Sequence, residues 1–124
     1  MRVEVSGEYL KFILEEVNGT AMMRKIKILQ AAAEEAIAAA DWYDKEREGL
    51  GKEFVSAIEL AIDLIEENIR PLSPMPGKSG DIGAKRLILK RFPYDIVVIE
   101  GELETVVLAI AHQSRQPGYW QGRL

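Results

Sequence analysis

The chain has 124 residues, of which 48% are apolar and 29% are charged, and its formal net charge is −4. This balance is typical of one globular domain and excludes a disordered or fibrous chain. No apolar run in the sequence is long enough to cross a bilayer. The lack of cysteine and the single histidine, His112, exclude disulfides, thiolate zinc sites and multi-histidine metal centres. The opening residues lack the apolar segment of a secretory signal. We therefore expect a cytoplasmic domain without a metal or another cofactor.

Residues 1–23 predict an N-terminal extension that consists of a short strand and an amphipathic helix. The helix is indicated by apolar residues at helical spacing, namely Tyr9, Leu10, Ile13, Leu14 and Val17. The main domain, residues 24–124, then opens with residues 24–29, which alternate between charged and apolar side chains. Such alternation is typical of a half-buried strand.

A helical hairpin follows, with helices near residues 31–47 and 51–70. The first is rich in alanine, the best helix former, and its small side chains allow the second helix to approach closely. The second carries an apolar stripe, which consists of Phe54, Ile58, Ile62, Ile65 and Ile69. We expect Trp42 and Tyr43, near the end of the first helix, to pack in the core rather than to stack on nucleobases.

The remainder of the main domain predicts a loop and three strands. Residues 71–83 contain three prolines and three glycines and read as a loop. The strands are expected at 85–90, 96–99 and 105–111. A turn over residues 100–102 separates the last two strands, so we expect them to form an antiparallel hairpin.

These elements predict an α+β fold with the order β-α-α-β-β-β. The helical hairpin covers one face of a small antiparallel sheet. In this arrangement the helical stripe of Phe54, Ile58, Ile62 and Ile65 packs against the strands. We expect its contacts to include Leu87, Leu89, Val97 and Val107.

Few residues carry recognisable chemistry. The sequence has no phosphate-binding glycine motif, no HExxH and no GxSxG. Four carboxylates share the first predicted helix, namely Glu34, Glu35, Asp41 and Asp44. Neighbouring carboxylates on a helix can perform acid–base chemistry or bind a hard cation, but a solvated polar face is the interpretation that we favour.

The segment after the last predicted strand concentrates several functional groups. His112, Arg115, Tyr119 and Trp120 fall within nine residues. Arg115 could bind a phosphate, His112 could move a proton near neutral pH, and Tyr119 could donate a proton or stack. The alternative is that His112 caps the strand while the aromatic residues pack on the sheet. The sequence leaves both interpretations open.

The sequence resembles the RelE/ParE family of bacterial toxins from type II toxin–antitoxin (plasmid stabilisation) modules. The resemblance rests on the combination WY…GLG..F within residues 38–54, RFPY within 86–98 and AH..R.PGYW within 107–120. It covers about four-fifths of the chain in the order of the family and leaves out the N-terminal extension. It implies a small antiparallel sheet covered by a helical hairpin.

The resemblance implies two mechanisms. Members of the RelE type cleave mRNA on the ribosome without a metal, and for them the match implies catalytic roles for Arg115 and Tyr119. RNA cleavage also needs a base, and the chemistry of its side chain allows His112 to take that role. It also implies nucleic-acid binding by the basic strand residues Arg86, Lys90 and Arg91. Members of the ParE type poison DNA gyrase and lack the catalytic set. The sequence departs from the ribonuclease pattern at Asp95, where an acidic side chain opposes RNA phosphate.

The implied partners follow from the family. They are a cognate antitoxin, either the ribosome with its mRNA or DNA gyrase, and a second copy of the chain in a homodimer, with no membrane. Whether the chain is an enzyme depends on the mechanism, since a gyrase inhibitor needs no catalytic residue. A further alternative is a non-toxic or degenerate protein of the same fold that acts only as a protein-binding module.

Overall fold

The computed structural model describes residues 25–67 and 72–123. The elements in chain order are β1 (Lys25–Ile28), α1 (Gln30–Glu46), α2 (Leu50–Glu66), β2 (Ser73–Pro74), α3 (Gly77–Asp81), β3 (Ala84–Ile88), β4 (Tyr94–Glu100), β5 (Glu104–His112) and a 3-10 turn (Gln121–Arg123). The strand and helix predicted for residues 1–23 lie outside the described residues. Within these two ranges, no helix is both long enough and apolar enough to cross a membrane.

The five strands form one sheet in the order β1-β5-β4-β3-β2. The α+β class and the predicted order of the main elements are confirmed, with β2 and α3 added inside the predicted loop. The sheet is mixed, however, and not wholly antiparallel as predicted, because β1 runs parallel to β5. The short turn at Gly101 forces β4 and β5 to run antiparallel, whereas the long helical connection after β1 permits a parallel pairing.

The two long helices pack closely where α2 begins. A Cβ on Gly51 would lie 2.3 Å from the carbonyl oxygen of Ala40, so only glycine allows this approach. The N–H of Gly51 donates to Oδ1 of Asp44 at 2.7 Å, and this carboxylate thereby caps the first turn of α2. Gly49, with a φ of 87°, makes the left-handed turn between the helices.

The helical stripe forms the core as predicted. Its members Phe54, Ile58, Ile62 and Ile65 are buried in one cluster with Leu87, Leu89 and Val107. Val97 belongs to the opposite face of the sheet, because neighbouring residues of a strand point to opposite sides. Tyr43 is buried among aromatic rings, but Trp42 is 57% exposed. Residues 42 and 43 are about 100° apart around the helix, so only one of them can face the core.

The second face of the sheet is covered by the tail segment, which we define as residues 113–123. Trp120 is fully buried there in a cluster with Met75, Val97, Leu108 and Ala109. A bulge in β5 helps to shape this face. Val97 pairs with Ala109 and Val98 with Val107, so Leu108 is an extra residue in the strand.

Candidate functional site

A cleft of about 50 Å³ lies between the second face of the sheet and the tail segment. Its polar lining consists of Arg86, Asp95, His112, Gln113, Arg115, Gln116 and Tyr119. Its apolar lining consists of Met75, Val97, Ala111, Pro117 and Trp120. Four of the six residues singled out in the sequence, Arg86, His112, Arg115 and Tyr119, therefore line a single cleft.

The other two basic residues of that set do not line the cleft. Lys90 and Arg91 lie in the connection between β3 and β4 and are exposed. Arg91 forms an ion pair of 2.6 Å with Glu53 of α2, and its guanidinium lies 5.1 Å from the centre of the Phe92 ring. Arg91 thus connects the strand turn to the helical hairpin.

Asp95 places a carboxylate inside the cleft. Oδ2 of Asp95 lies 3.4 Å from Nη1 of Arg86, and Oδ1 accepts a hydrogen bond of 3.1 Å from Nε2 of Gln113. The residue is buried, with 7% of its surface exposed, so water screens its charge poorly. Asp95 therefore offsets the positive charge of Arg86 at the position where a phosphate would need it.

The imidazole of His112 is engaged within its own turn. The backbone N–H of Ser114 donates to Nδ1 at 3.0 Å, and the hydroxyl of Ser114 lies 2.8 Å from the same nitrogen. The ring also meets Tyr94 edge-on, with 5.0 Å between the ring centres. Because Nδ1 acts as an acceptor, the neutral ring carries its proton on Nε2. Neither nitrogen then has a free lone pair for a general base.

Tyr119 belongs to a network that the sequence did not reveal. Its hydroxyl donates to Oε2 of Glu35 at 2.5 Å, and Nη1 of Arg123 forms an ion pair of 2.7 Å with Oε1 of the same carboxylate. Burial, together with the hydrogen bond to Glu35, raises the pKa of Tyr119 well above its usual value. The hydrogen bond to Glu35 raises the pKa of Arg123. A phenol held in this way is a poor general acid at neutral pH.

Glu35 also completes the hydrogen bonding of β5. β1 pairs with β5 only as far as Ile28 opposite Val107. Beyond that point, the N–H of Ile110 donates to Oε1 of Glu35 at 3.1 Å, and Nη1 of Arg123 donates to the carbonyl of Leu108 at 2.9 Å. Glu35 and Arg123 therefore form the hydrogen bonds to β5 that β1 does not reach, and their ion pair connects the tail segment to α1. We predicted a solvated face for Glu35, and that prediction is wrong.

Arg115 remains the most available cation of the cleft. Its guanidinium lies 3.9 Å from the centre of the Tyr119 ring, which is a stacking contact. Among the side chains that the structure describes, no carboxylate lies within ion-pair distance of it. The described side chains also include no group of three acidic or imidazole residues that could hold a metal ion. The cleft is thus suited to binding an anionic group through Arg115.

The fold is similar to that of a chain in the solved structure described as the chromosomal ParDE toxin–antitoxin (TA) system from P. aeruginosa. The two chains share 20% sequence identity with a TM-score of 0.60, over 70% of this chain and 92% of that chain. This likeness shows that the protein has the fold of a ParE/RelE-type toxin. No protein-family model matches the sequence, and no curated protein matches it.

Proposed function

We propose that the protein is the toxin of a type II toxin–antitoxin module and that it stops growth by binding DNA gyrase rather than by cleaving RNA. The fold and the matching motifs support a toxin. The observation that carries the choice of mechanism is Asp95, whose carboxylate lies in the cleft against Arg86. A cognate antitoxin is the expected neutralising partner.

Metal-independent RNA cleavage requires a base for the 2′-hydroxyl, a cation for the phosphorane and an acid for the leaving oxygen. The candidates for the base and the acid already form hydrogen bonds within the protein. Nδ1 of His112 accepts from Ser114, and the Tyr119 proton is bound to Glu35. Asp95 adds a negative charge beside Arg86. The net charge of −4 on the protein also repels a polyanion such as RNA. These contacts favour a protein target.

Ribosome-dependent mRNA cleavage stays the second candidate because of one observation. Arg86 comes from a different strand, yet it lines the same cleft as His112, Arg115 and Tyr119. If substrate binding displaced Ser114 from His112, Nδ1 would be free to accept a proton in the same cleft as Arg115. The two candidates therefore need a direct biochemical comparison.

The test compares two assays on the purified full chain after its expression has been shown to arrest bacterial growth. In the first, primer extension maps mRNA cuts on translating ribosomes. In the second, supercoiling by purified gyrase is measured as the protein is titrated. We expect loss of supercoiling or accumulation of cleaved DNA, with intact mRNA. Cuts in mRNA that disappear in Arg115→Ala, together with normal gyrase activity, would establish the ribonuclease instead.

A further inference from the structure

Two guanidinium groups of the cleft have hydrogen-bonding capacity that the described chain does not use. Arg86 contacts Asp95 through one nitrogen at the long distance of 3.4 Å, and its Nε is buried without a hydrogen-bond partner among the described residues. Arg115 contacts Tyr119 through the face of its guanidinium. Stacking leaves the N–H groups in the plane of a guanidinium free to bind an anion.

The cleft also has a defined size and an apolar side. A space of about 50 Å³ admits a small polar group, and Met75, Val97 and Trp120 provide apolar walls. Ile88 lies opposite Asp95 in the sheet and two residues after Arg86, so it shares their face. Ile88 is 43% exposed. An apolar side chain of a partner could therefore pack beside the anionic group.

We propose that this cleft binds a carboxylate side chain of the antitoxin, held by Arg115 and Arg86, with an apolar neighbour of that carboxylate packed on Ile88. This inference depends on the proposed function for the identity of the partner. A carboxylate is planar and matches the paired donors of a guanidinium. The occupant is thus an acidic segment of a protein with at least one apolar residue close to the acidic one.

The charges around the cleft favour a protein carboxylate over an RNA phosphate. The lining carries two positive charges, on Arg86 and Arg115, and one buried negative charge, on Asp95. One further negative charge would neutralise it. An RNA strand would bring several phosphates to a molecule whose net charge is −4, and its affinity would depend on many cations. A single acidic side chain on an otherwise apolar segment avoids this repulsion.

The test measures, by titration calorimetry, the affinity of the full chain for its cognate antitoxin. The proposed function predicts this antitoxin to be a small protein encoded next to the chain. Arg115→Ala should weaken binding about 10- to 100-fold, the loss expected for a charge-assisted hydrogen bond. Arg115→Lys should recover part of that loss because it keeps the charge. The matched control is Arg47→Ala, which removes an exposed arginine paired with Glu53 away from the cleft, and it should change binding less than twofold.

A double-mutant cycle identifies the partner residue. One acidic residue of the small protein should, when changed to alanine, weaken binding to the wild type but add no loss in Arg115→Ala. Ile88→Ser should weaken binding independently of Arg115. Equal binding by Arg115→Ala and the wild type would overturn the inference, as would an equal loss in Arg47→Ala.

The outcomes separate this inference from the proposed function. If expression of the chain arrests growth and the small protein relieves the arrest, but Arg115→Ala binds it normally, only the carboxylate site fails. If the chain neither arrests growth nor binds the small protein, both the proposed function and this inference are overturned. If Arg115→Ala loses binding to ribosomal mRNA but keeps its affinity for the small protein, the occupant is an RNA phosphate and the inference is overturned.

Discussion

Replacing Glu35 by glutamine should destabilise the protein although the two side chains have the same shape. The carboxylate accepts hydrogen bonds from Ile110, Tyr119 and Arg123, and its side chain is only 20% exposed. Glutamine replaces Oε2 with an amino group, which would face the second Arg123 donor and leave that cation without its anion. A hydrogen bond to a charged group contributes roughly 1.5–3 kcal/mol, and breaking a fully buried ion pair costs roughly 3–5 kcal/mol. For this partly buried pair we expect a loss of about 2–4 kcal/mol.

The matched control is Glu34→Gln. Glu34 is the preceding residue of α1, is exposed, and accepts one hydrogen bond of 3.2 Å from Gln30. Its replacement should change the free energy of unfolding by less than about 0.5 kcal/mol. Urea denaturation followed by circular dichroism gives both values.

A second readout tests whether Glu35 holds the tail segment on the sheet. Trp120 is 1% exposed and lies in that segment. In a Trp42→Phe background, Trp120 is the one remaining indole, so its quenching by acrylamide reports exposure of the tail. Quenching should increase in Glu35→Gln and not in Glu34→Gln. Equal stability losses in the two variants, with Trp120 equally protected, would refute the role assigned to Glu35.

Three further predictions concern the core, the helix contact and pH. Ile62→Ala should lower the free energy of unfolding by about 2–5 kcal/mol in urea denaturation, because Ile62 is 1% exposed in the main cluster. Gly51→Ala should cost at least about 1–3 kcal/mol by the same method, since its Cβ would meet the backbone of Ala40 at 2.3 Å. The fold raises the pKa of Tyr119, so above a pH of about 10 the unfolded chain loses a phenolic proton that the folded chain keeps. The free energy of unfolding should then fall by up to about 1.4 kcal/mol per pH unit because of this residue. Tyr119→Phe should make the decline measured between pH 9 and about 11 shallower, and an unchanged slope would contradict the assignment.

The helical hairpin and the hairpin of β4 and β5 could be predicted because their signals are local. The apolar stripe of α2 has the period of a helix, and Gly101 marks a tight turn. The direction of β1 could not be predicted, because its partner β5 lies about 80 residues later and no turn links them. Residue type alone does not predict burial, as Trp42 shows. Its large apolar ring is exposed because its position around the helix faces away from the core.

The residues of the candidate site could be predicted from the sequence, but their hydrogen bonds and ion pairs could not. His112, Arg115 and Tyr119 lie close together in the sequence, which pointed to the end of β5 as a functional region. The partner of Tyr119 is Glu35, 84 residues away, and no local pattern distinguishes Glu35 from Glu34. Asp95 was noted as a departure from the ribonuclease pattern, but only the structure places its carboxylate inside the cleft. Such contacts depend on the tertiary fold.

The supercoiling activity of purified DNA gyrase, measured as the full chain is added, tests the central claim most directly. Inhibition of a protein target requires no catalytic residue, so the account predicts loss of supercoiling or accumulation of cleaved DNA at protein concentrations near that of gyrase. The small protein encoded next to the chain should restore activity when it is added in equal amount. Full supercoiling in the presence of a large excess of a chain that arrests growth in cells would contradict the account.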